Sequence, residues 1–387
     1  MTVAEAKAAG RLRLLMTLDA VGGVWRYAMD LAAALKPRGF DTVFAGFGPP
    51  PSSAQRAEAH GLGMMTWQDQ PLDWMVRDEK ALADIPPQLA RLAGREGIDL
   101  IHLNLPSQAA GLAETGIPVV TVCHSCVPGW FAAVKASAPP DDWRWHLDLN
   151  RRGMERADAV VTPSQSHADH LRAVYGDLPE ILVVHNGRHP GLGVHRKQRR
   201  VMAVGRWWDE GKNGAVIDAA AALLLWPMAM IGPLEGPDAS AFVPRHAMAK
   251  GEKTAVQVAD DVRAAAIFVS ASRYEPFGLS VLEAAGSGAA LVLSDIATHR
   301  ELWQGAALYF DRRDAQALAT TVNRLIAEPL LRAELGVKAR ARASRFTAGR
   351  QAEAMERLYR RLMEAKGQKA GEASGDAVLS PHMAGVG

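Results

Sequence analysis

Residues 267–285 read IFVSASRYEPFGLSVLEAA, a β-branched run followed by a polar loop and then an apolar segment. This order predicts a buried strand that leads through a loop into a helix. Because Pro276 disfavours helical backbone at Glu275, Glu275 is expected to precede the helix. The N–H groups of Gly278 and Leu279 then lie in the first helical turn, where they lack partners and suit an anion.

The two carboxylates of this segment, Glu275 and Glu283, flank that predicted helix start. Glu275 precedes the helix and Glu283 lies about two turns inside it. One short segment thus offers a hydrogen-bond acceptor at Glu275, an anion-binding helix start and a second hydrogen-bond acceptor at Glu283. The alternative is that Glu275 caps the helix and Glu283 is a surface charge, but the apolar neighbours of Glu283 make a solvated face less natural.

The same alternation of strand, loop and helix extends in both directions from this segment. Helices are predicted at 24–35, 213–225, 280–285 and 348–365. Alternating β and α segments predict an α/β fold with two parallel sheets and a cleft between them, and ligands bind at the carboxyl ends of such strands. The predicted strands are 12–18, 42–47, 99–105, 118–124, 159–162, 181–184, 201–204, 227–231, 267–270 and 290–293.

The basic run 195–200 separates the two halves and reads as a linker, although such a run can also bind phosphate or nucleic acid. The expected domains are 1–190 and 191–347. A C-terminal helix, 348–366, follows them, and the Gly- and Ala-rich segment 367–387 is expected to be a disordered tail.

Composition excludes several classes of protein. The chain has 387 residues, 48% hydrophobic and 22% charged, which excludes disorder over its length. A formal net charge of +2 gives no support to a bulk nucleic-acid binder. The N-terminus lacks a signal-peptide layout, and Asp218 and Pro227 interrupt the most apolar stretch, 215–231. The sequence therefore predicts a cytoplasmic protein.

Two further features suggest phosphate binding. Gly22 and Gly23 lie between the first strand and its helix, where glycines let N–H groups approach a phosphate, although the GxGxxG pattern is absent. Arg206 follows the strand 201–204, and Lys212 lies six positions further. Both cations suit a diphosphate. The alternatives are a tight turn at the glycines, and surface cations paired with the neighbouring acidic residues 209 and 210.

The only cysteines, Cys123 and Cys126, flank His124 at the end of the strand 118–124. Two cysteines cannot form a disulfide scaffold. The CxxC spacing raises redox or zinc chemistry, but no second ligand pair is identified. His124 is placed to bind a sugar hydroxyl or move a proton, with a structural role as the alternative.

These features, taken in order, resemble the family 4 retaining glycosyltransferases. The resemblance rests on the glycine pair, His124, the segment ADAVVTPS at 157–164, HNG at 185–187, VGR at 204–206 with Lys212, and EPFGLSVLEA at 275–284. It covers residues 11–365. It implies the GT-B architecture, in which two Rossmann-like domains face each other and the C-terminal helix crosses back to the first domain.

The resemblance also implies roles for individual residues. Arg206 and Lys212 would bind the diphosphate of a nucleotide sugar, Glu275 the hydroxyls of the donor sugar, and Glu283 the ribose. His124 would contact the sugar near the reacting carbon. The expected catalytic residues are thus Glu275, His124, Arg206 and Lys212. The expected nucleotide-sugar-binding residues are Gly22, Gly23, Arg206, Lys212, Glu275, Phe277, Gly278, Leu279 and Glu283.

The expected function is transfer of a sugar, with retention, from a nucleotide-diphosphate sugar to an acceptor hydroxyl. The resemblance implies no divalent metal, and the nucleotide sugar is a substrate rather than a cofactor. The acceptor is not specified, and the loops 49–73 and 128–142 are expected to hold it. A nucleotide-sugar epimerase of GT-B fold and a non-catalytic scaffold are the alternatives. A lipid acceptor would add a peripheral membrane contact, and no nucleic-acid partner is expected.

Overall fold

The N-terminal half is built on a seven-stranded parallel sheet in the order β3-β2-β1-β4-β5-β6-β7. The structure is a computed structural model that describes residues 10–189, 196–237 and 239–378. The strands are buried along most of their length, as expected for a parallel sheet covered on both faces. They are β1 Leu12–Asp19, β2 Phe40–Phe47, β3 Gly63–Trp67, β4 Leu100–Leu103, β5 Val119–Val122, β6 Ala159–Thr162 and β7 Ile181–Val183.

Within residues 10–189, six α-helices cover the two faces of this sheet. On one face α1 packs over β1 and β2, and on the other α3 and α5 pack over the same central strands. Short 3-10 turns lie at Lys36–Arg38, Asp73–Met75, Glu79–Leu82, Pro106–Ala109 and Asp141–Trp143. The helices are α1 Gly23–Leu35, α2 Ser53–Leu62, α3 Ile85–Arg95, α4 Val127–Lys135, α5 Arg144–Arg156 and α6 Gln165–Tyr175.

The second half repeats the plan with a six-stranded parallel sheet in the order β10-β9-β8-β11-β12-β13. Its strands are β8 Gln198–Val204, β9 Met228–Ile231, β10 Met248–Ala249, β11 Ala265–Ser270, β12 Ala290–Ser294 and β13 Ala307–Phe310. Its helices are α7 Gly214–Ala221, α8 Ala255–Ala264, α9 Leu279–Gly286, α10 Ala297–Trp303, α11 Ala315–Ala327 and α12 Pro329–Ala343, with a 3-10 turn at Glu210–Lys212. The prediction of an α/β fold with two parallel sheets is confirmed.

Several sequence predictions of local structure are wrong. The segment 49–73 contains α2 and the edge strand β3, and the segment 128–142 contains most of α4. The strands β3, β10 and β13 were not predicted, because edge strands are short and only partly buried. β8 begins inside the predicted linker 195–200, at Gln198.

The C-terminal helix, α13 Ala348–Val378, packs against the first half of the molecule. Its buried face joins the core beneath α1 through Ala352, Met355 and Tyr359. Helix therefore continues through 367–378, where the sequence predicted a disordered tail. The rest of that tail, residues 379–387, lies outside the described residues, as do the N-terminal segment 1–9 and the domain boundary between 190 and 191.

No helix in the described ranges combines the length and the apolar character needed to cross a bilayer. The longest, α13, has 31 residues and carries charge along its exposed side. Two i,i+4 ion pairs, Arg357 with Glu353 and Arg360 with Glu356, lie on that side.

Candidate functional site

Two helix N-termini, one from each half, converge where the two sheets face each other. Gly22 precedes α1 and Gly278 precedes α9, and neither helix start receives a side-chain cap. A Cβ on Gly22 would lie 2.4 Å from Arg206 Nη1, and a Cβ on Gly23 would lie 3.7 Å from Leu279 Cδ1. Uncapped first-turn N–H groups are anion donors, so both helix starts can donate hydrogen bonds to an anion in the cleft.

Gly278 has the backbone conformation that this convergence requires. Its φ of 89° lies in the left-handed region, which favours glycine. A Cβ at this position would also crowd Val281 Cγ2 at 3.3 Å. The turn that starts α9 thus depends on Gly278.

Arg206 follows β8, and its guanidinium lies at the start of α1. Its Nη2 is 3.4 Å from Asp209 Oδ2, and its guanidinium lies 5.4 Å from the centroid of the Trp208 ring. Asp209 Oδ1 in turn accepts a hydrogen bond of 2.9 Å from Trp130 Nε1, on α4 of the first half. Arg206 is therefore paired with Asp209, as the alternative interpretation expected, and its guanidinium also lies beside Gly22 at the start of α1.

Lys212 contacts Glu275 and not the neighbouring Glu210. Lys212 Nζ lies 2.6 Å from Glu275 Oε2, with the two side chains 20% and 12% exposed. Burial alone would raise the pKa of Glu275, but the Lys212 ammonium, with smaller contributions from His299 and Arg206, holds this pKa below its usual range. The pair is a charged acceptor and donor at the edge of the cleft, and Glu210 instead binds Lys135 at 2.6 Å.

Glu283 is half-buried and is paired with Arg188, a residue that the sequence analysis missed. Arg188 Nη2 lies 2.8 Å from Glu283 Oε1, and Arg188 Nη1 contacts Asp30 on α1. Burial raises the pKa of Glu283, and the Arg188 guanidinium opposes that rise. Arg188 directly follows the motif HNG, and this position beside a motif was the feature of the sequence that could have identified it.

His124 follows β5 and is partly exposed toward the cleft. Its Nε2 lies 2.8 Å from Asn104 Oδ1, and its ring makes an edge contact with Tyr27, the centroids being 4.4 Å apart. Burial, with repulsion from His102 and His167, lowers the pKa of His124 to about 3. The ring is therefore neutral at ordinary pH.

One expected binding residue has a different place. The Phe277 side chain is 3% exposed and packs edge-on against Phe346 in the core of the second half. It supports the loop before α9 and does not present its ring to the cleft.

The carboxylate Asp19, missed in the sequence, ends β1 and accepts a 2.9 Å hydrogen bond from Val21 N. Burial raises the pKa of Asp19, and Arg206 opposes the rise.

Cys123 and Cys126 are free, buried thiols, and burial raises both pKa values, that of Cys126 to about 11. High thiol pKa values disfavour thiolate redox chemistry. In the described part of the chain, no group of three or more His, Cys, Asp or Glu side chains could hold a metal ion. Cys126 instead belongs to the interdomain contact, since its N–H donates to Tyr274 Oη at 2.9 Å.

The two halves also meet beside the cleft through helix α6. Glu301, on α10, accepts hydrogen bonds from Gln165 N at 2.9 Å and from Ser166 N at 2.7 Å, so one half caps a helix of the other. Ser164 Oγ donates to Pro276 O at 2.7 Å, directly before the loop that starts α9. These contacts set the separation between the two sheets.

Two parallel sheets facing each other, with cations and free helix starts at their carboxyl ends, define the class of GT-B glycosyltransferases. The model for Glycosyltransferase Family 4 matches residues 21–191, and the model for Glycosyl transferases group 1 matches residues 235–342. Together the two models cover most of the chain. The chain therefore belongs to the family 4 glycosyltransferases of the GT-B fold.

Individual relatives agree with this assignment. The alpha-maltose-1-phosphate synthase of Mycolicibacterium smegmatis is 29% identical over 288 residues, which span 64% of this chain and 74% of that protein. The sucrose-phosphate synthase of Thermosynechococcus elongatus has the same fold, with a TM-score of 0.75 at 20% identity, over 92% of this chain and 100% of that one. Anabaena HepE in complex with UDP-glucose gives a TM-score of 0.70 at 18% identity, over 90% and 99%.

Proposed function

We propose that this glycosyltransferase moves a sugar, with retention of configuration, from a nucleoside-diphosphate sugar to an acceptor hydroxyl. The observation that carries the proposal is the convergence of the uncapped starts of α1 and α9 on Arg206. Arg206 lies beside Gly22 at the start of α1, Leu279 at the start of α9 lies against Gly23, and Lys212 is paired with Glu275 in the loop before α9. Helix starts and cations grouped in this way suit the diphosphate of a nucleotide sugar.

The same groups would assist departure of the leaving group. As the bond between the sugar C1 and the phosphate oxygen breaks, negative charge develops on that oxygen. Arg206, Lys212 and the N–H groups at Gly278 and Leu279 would stabilise this charge, and preorganised donors of this kind contribute most to catalysis where water is excluded. The acceptor oxygen then bonds to C1, and its proton passes to the departing phosphate oxygen.

The proposal of retention rests on attack from the face that the diphosphate leaves. Glu275, the carboxylate beside Lys212, is held by an ion pair of 2.6 Å and is suited to binding sugar hydroxyls, not to attack on C1. We therefore propose no covalent sugar–enzyme intermediate. Measurement of the product's anomeric configuration by NMR tests this part, and an inverted product would contradict it.

We further propose that transfer needs no divalent cation. Arg206 and Lys212, with the two helix ends, provide the positive charge that a metal would otherwise supply to the diphosphate. Activity measured with and without a chelator tests this part. An activity that is lost with chelator and restored by added Mg²⁺ or Mn²⁺ would refute it.

The donor is tested by titration calorimetry and thermal shift with UDP, GDP, ADP and their common sugar conjugates. Anabaena HepE was crystallised with UDP-glucose, so that pair comes first. A ligand at about a hundred times its Kd stabilises the folded protein by about 2.7 kcal/mol. Binding of one nucleotide with turnover of its sugar conjugate supports the proposal. Binding without any transfer supports the scaffold, and interconversion of the sugar without acceptor supports the epimerase.

The acceptor is identified with a second panel, in which candidate acceptor compounds are tested for sugar transfer. The Mycolicibacterium relative is named for a disaccharide phosphate product, so sugar phosphates are included beside glycans and lipid-linked acceptors. The proposal places the protein in the cytoplasm, with a peripheral membrane contact where the acceptor is lipid-linked. Cell fractionation and vesicle binding test these two parts.

A further inference from the structure

A buried line of polar side chains lies behind His124 and has no place in the donor site described above. It consists of Asn104, His102 and Tyr359, which are 2%, 0% and 0% exposed. Asn104 and His102 belong to β4 and its carboxyl end, and Tyr359 belongs to the C-terminal helix α13. Because buried polar groups must be hydrogen-bonded, the proton positions along this line can be assigned.

Thr17 contacts both the main-chain N–H and the side-chain amide of Asn104, and the second of these contacts fixes the orientation of the amide. Asn104 N donates to Thr17 Oγ1 at 2.8 Å, and Asn104 Nδ2 donates to Thr17 O at 2.5 Å. A backbone carbonyl can only accept, so a flipped amide would press two oxygens together at that distance. Asn104 Oδ1 therefore faces the opposite way, toward the two imidazoles.

Both imidazoles must donate to that oxygen. His124 Nε2 lies 2.8 Å from Asn104 Oδ1, and His102 Nε2 lies 3.1 Å from the same atom. An amide oxygen only accepts, so each Nε2 carries the hydrogen. His102 Nδ1 then accepts the Tyr359 hydroxyl at 2.6 Å. Burial lowers the pKa of His102 to about 4, which agrees with a neutral ring.

His124 is left with one free ring atom. Its Nε2 hydrogen is committed to Asn104, and in the described ranges Nδ1 has no hydrogen-bond partner. The residue is partly exposed at the carboxyl end of β5, so Nδ1 is the nitrogen available to a ligand. A neutral imidazole with a hydrogen on Nε2 offers a lone pair at Nδ1 and can only accept there.

We propose that Asn104 is a positioning residue that locks His124 in the Nε2-protonated neutral form, so that Nδ1 accepts a hydrogen bond from a hydroxyl of the donor sugar. The sugar part of this inference rests on the proposed function, whereas the lock is a property of the free protein. With Nε2 protonated, His124 favours a donor sugar that presents a hydroxyl to Nδ1. A sugar that presents a carboxylate is disfavoured, because the carboxylate lone pairs would repel the lone pair of Nδ1. The lock also excludes His124 as a general acid.

The lock is tested on the free protein by NMR of ¹⁵N-labelled histidines, in which the two ring nitrogens report the tautomer directly. The spectrum of His124→Gln identifies the His124 signals. The expected result is a protonated Nε2 and an unprotonated Nδ1, unchanged between pH 5 and 8. A hydrogen on Nδ1, or titration near the ordinary histidine pKa of about 6.5, would overturn the proposal.

Two substitutions then break the lock in different ways. Asn104→Leu removes the acceptor, so His124 is expected to populate both tautomers. Asn104→Asp keeps the shape, adds a charge that favours imidazolium, and is expected to raise the pKa of His124. The matched control is Asn150→Leu, because Asn150 is also a buried asparagine, 5% exposed and beside His146, but its partner is Asp73. The control should leave the His124 signals unchanged.

Kinetics connect the lock to the donor. Asn104→Leu should lower kcat/KM for the nucleotide sugar about tenfold, the value of one hydrogen bond, while the Kd of the nucleoside diphosphate alone stays constant. An unchanged tautomer in both Asn104 variants would overturn the lock. A normal lock in a protein that binds no nucleotide sugar would instead overturn the proposed function and the sugar part of this inference with it.

Discussion

Arg188 Nη2 lies 2.8 Å from Glu283 Oε1, and the same guanidinium contacts Asp30 in the opposite half of the molecule. One residue thus joins α1 to α9 beside the expected ribose position. The backbone of Arg188 is also held, since its N–H donates to Phe346 O at 3.2 Å and its carbonyl accepts from Ala348 N at 3.1 Å. Arg188 therefore lies where the chain crosses between the halves, and it positions Glu283.

Arg188→Gln should weaken both the fold and the nucleotide site. The change leaves Glu283 and Asp30 without their shared cation, and a half-buried pair broken in this way costs about 1–3 kcal/mol. Burial already raises the pKa of Glu283, and loss of Arg188 raises it further. A raised pKa means that the folded protein binds a proton at Glu283 more tightly than the unfolded chain does. Protonation removes the unpaired charge, so the loss of stability in Arg188→Gln should shrink as the pH falls from 7 toward about 5.

Denaturant unfolding at pH 7 and pH 5, with calorimetry of the nucleoside diphosphate, measures both effects. The matched control is Arg38→Gln, because Arg38 forms a pair of the same length, 2.8 Å, with Glu356 outside the cleft. Equal nucleotide affinities in the two variants would show that Arg188 does not position Glu283.

Lys212→Ala should reduce turnover while the protein stays folded. The ammonium is the closest cation to Glu275 and is expected to stabilise the departing phosphate. Removal of one preorganised group of this kind lowers kcat by about 10²–10³. Lys338→Ala is the control, because Lys338 forms an exposed pair of the same 2.6 Å length with Glu334 on α12. Steady-state kinetics with unchanged kcat/KM in Lys212→Ala would remove Lys212 from the mechanism.

Gly22→Ala should affect binding more than stability. The φ of Gly22 is −156°, which lies outside the positive range that favours glycine. The new Cβ would lie 2.4 Å from Arg206 Nη1, so the flexible guanidinium must move away from the helix start. Loss of this charge-assisted contact corresponds to about tenfold or more in the Kd of the nucleoside diphosphate.

The control for this variant is Gly94→Ala on α3, where a Cβ would meet nothing within 4 Å. Thermal unfolding should be near wild type for Gly22→Ala, and calorimetry should separate the two variants. A wild-type Kd for Gly22→Ala would mean that the diphosphate does not lie between Gly22 and Arg206.

The architecture was predictable because buried parallel strands leave continuous apolar runs, such as those of β5 and β11. Edge strands leave a weaker trace. β3 has five residues and no buried position, so its sequence GMMTW resembles a loop. The end of α13 was also missed, because 367–378 contains three glycines, which disfavour helix.

The candidate site was easiest to predict where one segment carries several of its groups, as in 275–283, whereas Gly22, His124, Arg206 and Lys212 were identified from their places after predicted strands. Asn104 and Arg188 were missed because their meaning depends on distant partners. Asn104 contacts Thr17, 87 positions away, and His124, 20 positions away. A single polar residue after a strand has no local pattern to distinguish it, whereas a proline, a glycine and two glutamates at fixed spacing do.

The last prediction concerns pH and the contact between the halves. Glu301 is partly buried, which alone would raise its carboxyl pKa, but hydrogen bonds from His185, Ser166 and Gln165 lower the pKa to about 2. Since the folded pKa lies below the unfolded value of about 4.3, Glu301 stabilises the fold above that value. This contribution is lost as the pH falls from about 5 toward 2.

Glu301→Gln should therefore lower the free energy of unfolding by about 1–3 kcal/mol at pH 7, with a difference from wild type that disappears near pH 2 to 3. The glutamine side chain can still accept a hydrogen bond at the start of α6 through its one oxygen, but it lacks the negative charge of Glu301. Asp295→Asn is the control, because Asp295 is an exposed carboxylate paired with Arg300, on the same helix as Glu301, and among the described residues it has no ion pair or hydrogen bond to the first half. Unfolding curves from pH 3 to 7 measure both variants, and a pH-independent difference for Glu301→Gln would show that its charge does not hold the two halves together.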